Sequence, residues 1–267
     1  MMTLNNGEQQ IETFFQGGVL RVGICRPEKK NALTQLMYQL LTAAIEQAEQ
    51  DERVRVILLH GTADCFTSGN DLTDFAQNPP RGEDSPVFCF LRAISAAQKP
   101  LIAVVNGPAV GIGTTLLLHC DLVFAGEDAR FQLPFVNLGL CPEAASSYLL
   151  PQLAGHLRAS ELLLLGEAIN ARRAEQLGLV NRVYPAQKLF QCAIFQAQQL
   201  AQKPAAAVRL TKSLLKQGQA KQVTEVMSKE GKLFLELLQQ PEAKAAIGAF
   251  LQGRLANSGN ADGTERE

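Results

Sequence analysis

An α/β core followed by a helical C-terminal region is the architecture this 267-residue sequence predicts. Three observations predict it. Short apolar runs of strand length alternate with helix-spaced segments through Ala125, glycine-built turns close several of those runs, and the composition shifts to helices rich in Gln, Ala, Leu and Lys after Pro185. The expected division is a core over 1–198, a helical oligomerisation region over 199–255, and a tail over 256–267 with the small, polar composition of a disordered segment.

The first strands are Ile11 to Phe15 and Val19 to Cys25, whose apolar residues alternate around Gly17-Gly18, the dipeptide of a tight hairpin. Thr34 to Gln50 has helical spacing. Val54 to His60 and Leu101 to Val105 are continuous apolar runs that suit strands buried on both faces, and Phe88 to Gln98 has the spacing of a helix between them. After Gly111-Ile112-Gly113, the run Thr114 to Cys120 suits a short buried helix, and Leu122 to Ala125 a further strand. In the last part, Pro204 and Pro241 stand at first helical positions, and Val223 to Leu238 carries more apolar surface than a small terminal helix needs by itself. That excess fits contact with a neighbouring subunit.

Composition excludes several classes of function. With 46% hydrophobic and 19% charged residues and a formal net charge of −1, the chain lacks the basic bias of a nucleic-acid binder. The six cysteines contain no Cys-x-x-Cys pair, and three histidines in all give no metal-ligand spacing, so the thiols read as reduced and no metal is expected. No stretch has the apolar length of a membrane span, and neither end resembles a targeting signal, which makes a cytoplasmic location the expectation.

The chemistry-bearing residues cluster at strand ends. Cys65-Phe66-Thr67-Ser68-Gly69-Asn70-Asp71-Leu72 is a turn in which Gly69 allows consecutive backbone N–H groups to face a ligand. Asn106-Gly107-Pro108-Ala109-Val110-Gly111-Ile112-Gly113 places glycines before a helix, whose first N–H groups favour developing negative charge. Each is by itself a common turn, but together they could form a two-donor oxyanion hole. Between Asp128 and Glu161 the chain carries one carboxylate, Glu143, in the segment Leu138-Gly139-Leu140-Cys141-Pro142-Glu143. Pro142-Glu143 is an ordinary helix start, and equally a base desolvated by apolar neighbours.

The turn Phe66 to Leu72, the block Ala103 to Gly113, Cys120-Asp121, Phe131-Gln132-Leu133-Pro134, Arg26 to Leu33 and Ala174 to Val180 together resemble the crotonase (enoyl-CoA hydratase/isomerase) superfamily, with motifs in order from about Val19 to Leu251. The resemblance implies a spiral of β-β-α units, trimers or dimers of trimers built through the C-terminal helices, and an acyl-CoA substrate, with coenzyme A part of the substrate rather than a separate cofactor. It puts the oxyanion donors on Ser68 and Ile112. It also implies CoA contacts from Arg26, Lys29 and Lys30 to the phosphates, from Ala32, Leu33 and Leu72 along the adenine and pantetheine path, from the Ser68-Gly69-Asn70-Asp71 turn, and from Lys232 and Phe234. His60, His119 and His156 read as structural, and Cys141 as a bystander without a histidine partner.

Departures from the hydratase pattern carry more information than matches. The positions of the two hydratase glutamates are Thr115 and Phe135, neither of which can serve as that base. Pro142-Glu143 with Ser146-Ser147-Tyr148 resembles the branch that isomerises 3-enoyl-CoA to 2-enoyl-CoA with one glutamate. The implied substrate pocket is lined by Thr115, Phe135, Leu138 and Leu140, of which Phe135, Leu138 and Leu140 would desolvate the Glu143 carboxylate. A hydratase-like enzyme that uses Glu143 alone and a non-catalytic acyl-CoA-binding protein are the alternatives.

Overall fold

The structure, a computed structural model, describes residues 10–259, with side chains described to 253. Strands β1 (Ile11–Gln16) and β2 (Val19–Ile24) form the antiparallel hairpin, with both turn glycines at positive φ. β3 (Val56–His60), β4 (Leu101–Val105), β6 (Leu122–Gly126) and β9 (Arg182–Tyr184) extend it in parallel, giving the order β1-β2-β3-β4-β6-β9. A second sheet holds β5 (Pro108–Val110), β7 (Arg130–Gln132) and β8 (Ile169–Asn170). Each turn of the chain therefore gives one strand to the large sheet and the next to the small one, β4 then β5, β6 then β7. Earlier turns contribute single bridges to the small layer, Leu33 to Asn70 and Thr67 to Ala109. This is the expected β-β-α spiral.

Helix α1 (Gln35–Gln50) starts where Thr34 Oγ1 accepts the Met37 N–H, and buries Met37, Leu41 and Ile45 on one face. It is followed by α2 (Leu72–Gln77), α3 (Pro86–Ala96) and α4 (Ile112–Thr115), with a 3₁₀ turn at Leu116–His119. α4 starts two residues earlier than the sequence predicts, because Gly111 takes φ +56° and turns the chain straight into the helix. Then come α5 (Ser146–Ala154), α6 (His156–Ser160) and α7 (Ala171–Gln176). The large sheet is covered on both faces. Ile57 and Leu59 of β3 point into the core with α1 and α3, while Val56 and Leu58 pack on Leu189, Ala193 and Ala197 of α8 (Ala186–Ala201). That two-sided burial explains the unbroken apolar runs.

The expected boundary near residue 198 falls inside α8, whose apolar face belongs to the sheet. The next helix, α9 (Ala205–Gln217), is fixed by buried Lys212, whose Nζ donates to Asp121 Oδ2 and to the Lys99 carbonyl at 2.7 Å each. α10 (Ala220–Leu238) and α11 (Pro241–Gly259) fold back onto the core: Phe234, Leu238, Ala243 and Ile247 share a cluster with Leu72, Phe75, Leu133 and Phe135. α11 runs to Gly259, into the segment expected to be disordered, and the rest of that segment, 260–267, lies outside the described residues.

Candidate active site

Two walls make up the candidate site. The first is backbone. Gly69, at φ +88°, lies so close to β5 that a Cβ there would stand 2.8 Å from the Val110 carbonyl, which draws the turn after β3 against the turn after β5. The bridge to Leu33 uses the Gly69 carbonyl and the Asp71 N–H, leaving Asn70's own N–H directed away from Leu33 and without a backbone partner among the described residues. Ile112, first residue of α4, has no partner for its N–H among the described residues, because no earlier turn of helix supplies a carbonyl to it. Ser68 does not have the expected role. Its N–H donates to the Lys30 carbonyl at 3.0 Å, so the available donor in this turn is Asn70. The Asn70 side chain is held in place, its Oδ1 accepting the hydroxyl of buried Tyr38 at 2.5 Å.

The second wall is the loop carrying Glu143. Its carboxylate is 5% exposed, and Oε1 accepts the Thr115 hydroxyl at 2.5 Å. Burial pushes the carboxyl up to about 7; the Thr115 bond acts against that shift, and the nearby Glu230 charge adds to it. After Glu143 the chain passes through two successive left-handed non-glycine residues, Ala144 at φ +62° and Ala145 at φ +55°. Left-handed alanines cost free energy, and long-range bonds hold these. His119 Nε2 donates to the Ala144 carbonyl at 2.8 Å, and Ser146 Oγ donates to the Glu143 carbonyl at 2.6 Å. From α10, the Glu230 carboxylate accepts the Ala145 N–H at 2.6 Å, the Ser147 N–H at 3.0 Å and the Ser147 hydroxyl at 2.5 Å. Burial holds His119 at about 4 and Cys141 at about 11, so the imidazole is neutral and the thiol protonated.

Glu143 lines a cavity of about 580 Å³ whose apolar walls include Phe88, Leu91, Leu118, Leu149, Val223 and Met227. These replace the expected neighbours. Phe135, Leu138 and Leu140 pack instead in the cluster under α11, and Thr115 is sealed beneath Glu143.

The expected CoA contacts separate into two groups. Lys29 and Lys30 are exposed, and no side-chain partner holds them among the described residues. Arg26 is committed elsewhere: Nη1 donates to Asp71 Oδ2 at 2.6 Å and to the Ala32 carbonyl at 3.0 Å. Burial opposes ionisation of Asp71, but the Arg26 bond and the N–H groups of Thr73 and Asp74 outweigh it and hold the carboxyl below its usual range while capping α2. Ala32 and Leu33 are buried, Leu33 in the main core; Leu72 packs with Phe75, and Phe234 meets Phe75 edge-on at 6.1 Å between ring centroids. Their side chains are structural. Lys232 is exposed. Glu230 and Tyr38 were absent from the sequence expectations; the available signal was a glutamate on the apolar stripe of α10, between Met227 and Phe234.

A two-layered β-β-α spiral with glycine-set backbone donors at its strand ends and a buried carboxylate defines a protein of the crotonase class. The Enoyl-CoA hydratase/isomerase family profile matches residues 14–258, and the chain belongs to that family. It is 36% identical to the Enoyl-CoA delta isomerase 2 of Rattus norvegicus over 222 residues, which is 80% of this chain and 56% of that protein. It is 35% identical to the 2,3-dehydroadipyl-CoA hydratase of Escherichia coli K12 over 241 residues, 90% of this chain and 94% of the relative. A solved structure of Pseudomonas aeruginosa OdaA superposes with a TM-score of 0.89 at 44% identity, covering 91% of this chain and 99% of that one. The chain thus spans little more than half the length of the rat relative. No helix among the described residues is long and apolar enough to cross a membrane.

Proposed function

We propose that this protein isomerises 3-enoyl-CoA to 2-trans-enoyl-CoA, with Glu143 carrying the proton from C2 to C4. The observation that carries this reading is one buried carboxylate facing the site, with Thr115 and Phe135 where a water-adding relative would hold its two acids. Moving a double bond by one position needs a single base that removes the C2 proton and returns it to C4. The charge that moves onto the thioester oxygen meets the N–H groups of Asn70 and Ile112, and one such donor lowers the barrier by about 3 kcal/mol. A carboxyl near 7 is ionised often enough to accept the proton and basic enough to hold it until C4 is reached.

The apolar cavity beside Glu143 supports an aliphatic acyl tail. Exposed Lys29 and Lys30 support contact with the CoA phosphates. Leu210, Leu214 and Leu215 stand exposed on α9, which supports assembly with further copies of the chain.

The test supplies 3-enoyl-CoA and 2-enoyl-CoA separately and follows the conjugated thioester absorbance together with 3-hydroxyacyl-CoA. Isomerisation exceeding hydration is the expected result. Hydration exceeding isomerisation would move the assignment to a hydratase, the activity named for the E. coli relative. Binding of the CoA esters with neither reaction would leave an acyl-CoA-binding protein.

A further inference from the structure

We propose that Glu230 is a positioning residue for the Glu143 base: its carboxylate, brought from α10, holds the left-handed entrance to α5 and so aims Glu143 at the substrate. The inference rests on the isomerase reading for its effect on rate, but its structural part stands independently. α5 has no side-chain cap of its own, since its N-cap is Ala145 at φ +55°. A carboxylate 85 residues away in sequence takes over that duty, accepting the Ala145 N–H on one oxygen and both Ser147 donors on the other. All three bonds lie within four residues of Glu143, and the Ala145 bond pins one of the two strained residues that set its direction. A simple structural cap could be neutral. Burial raises the Glu230 carboxyl while the Ser147 and Ala145 donors act against that shift, and a carboxyl group buried beside a second one is a costly way to end a helix unless it also acts on that neighbour.

Groups around Glu143 limit what else could tune it. Tyr38 on α1 and His119 after α4 are buried, Cys141 on the same loop is half-buried, and all three are uncharged near neutrality. Glu83, Arg92 and Lys216 line the same cavity; Arg92 Nη1 donates to the Glu83 carbonyl, and Lys216 Nζ to the His119 carbonyl at 3.0 Å. Glu230 is the charge whose repulsion acts directly on Glu143, and it favours the protonated form. Its removal therefore lowers the midpoint of Glu143, and loosens the loop as well.

The experiment follows the Glu143 carboxyl by ¹³C NMR across pH in the full chain, with Glu143→Gln identifying the resonance, in wild type, Glu230→Gln and Ser147→Ala. Glu230→Gln is expected to move the midpoint down by roughly half a unit or more and to lower kcat about tenfold with KM little changed, as a misaimed base would. Ser147→Ala moves both in the same direction by less, because Glu230 loses one donor and holds its charge less firmly, and it serves if the Gln variant does not fold. A folded variant whose Glu143 midpoint and kcat match wild type overturns the proposal. A shifted midpoint in a protein whose wild type isomerises nothing supports the role of Glu230 and removes the isomerase reading.

Discussion

The two walls of the site are built by opposite means. The donor wall is made of backbone and glycine geometry at the ends of β3 and β5, where Gly69 and Gly111 set the direction of the Asn70 and Ile112 N–H groups. The carboxylate wall is a strained loop held by side chains from elsewhere: Thr115 and His119 around α4, and Glu230 from α10. A wall of main-chain donors is rigid and tolerant of side-chain change. A wall of imported side chains can tune a pKa, and a distant substitution can damage it.

Either wall can be disabled by one substitution. The largest effect is expected at the carboxylate: Glu143→Gln removes the base and lowers kcat for isomerisation by on the order of 10²–10⁴-fold, measured with 3-enoyl-CoA at saturation. Ile112→Pro deletes one donor while keeping a residue suited to the first helical position, and kcat is expected to fall roughly 10²-fold. Equal activity in that variant would remove α4 from the oxyanion site.

A third effect is on stability and has the opposite sign. Burial raises Glu143 from 4.5 to about 7 in the fold, so its contribution to stability is fully present below pH 4.5 and is lost as pH rises through 7. Glu143→Gln is then expected to be more stable than wild type at pH 8 by up to about 3 kcal/mol, with the gain vanishing at acid pH. Denaturant melts at both pH values measure it. An identical difference at the two would mean the carboxyl titrates normally.

The smallest effect is at Thr115. Its hydroxyl stabilises the charged form, so Thr115→Val should raise the acid limb of the kcat profile by roughly one pH unit, the equivalent of one charge-assisted hydrogen bond. An unmoved limb would make Thr115 a packing residue only.

What was legible in the sequence follows the same division. The hairpin around Gly17-Gly18, the doubly covered strands β3 and β4, and the lone carboxylate Glu143 are local signals, each written in consecutive residues. The choice between Ser68 and Asn70 was not legible, because it depends on which N–H the Lys30 carbonyl takes. Nor was the surrounding of Glu143, which comes from Phe88, Leu118 and Met227 rather than from its sequence neighbours Leu138 and Leu140. Arg26 illustrates the same limit: as sequence it is a cation free to meet phosphate, and in the fold it is the partner of Asp71. Glu230 was written on an apolar helix stripe, but its partner sits 83 and 85 positions away.

In the proposed reaction one buried carboxylate moves one proton between two carbons. Its most direct test is 3-enoyl-CoA deuterated at C2, converted in ordinary water, with the product read by mass spectrometry and NMR. Transfer of part of the label from C2 to C4, lost in Glu143→Gln, is the predicted result. A product whose C4 proton comes entirely from solvent, formed at an unchanged rate by Glu143→Gln, would contradict it.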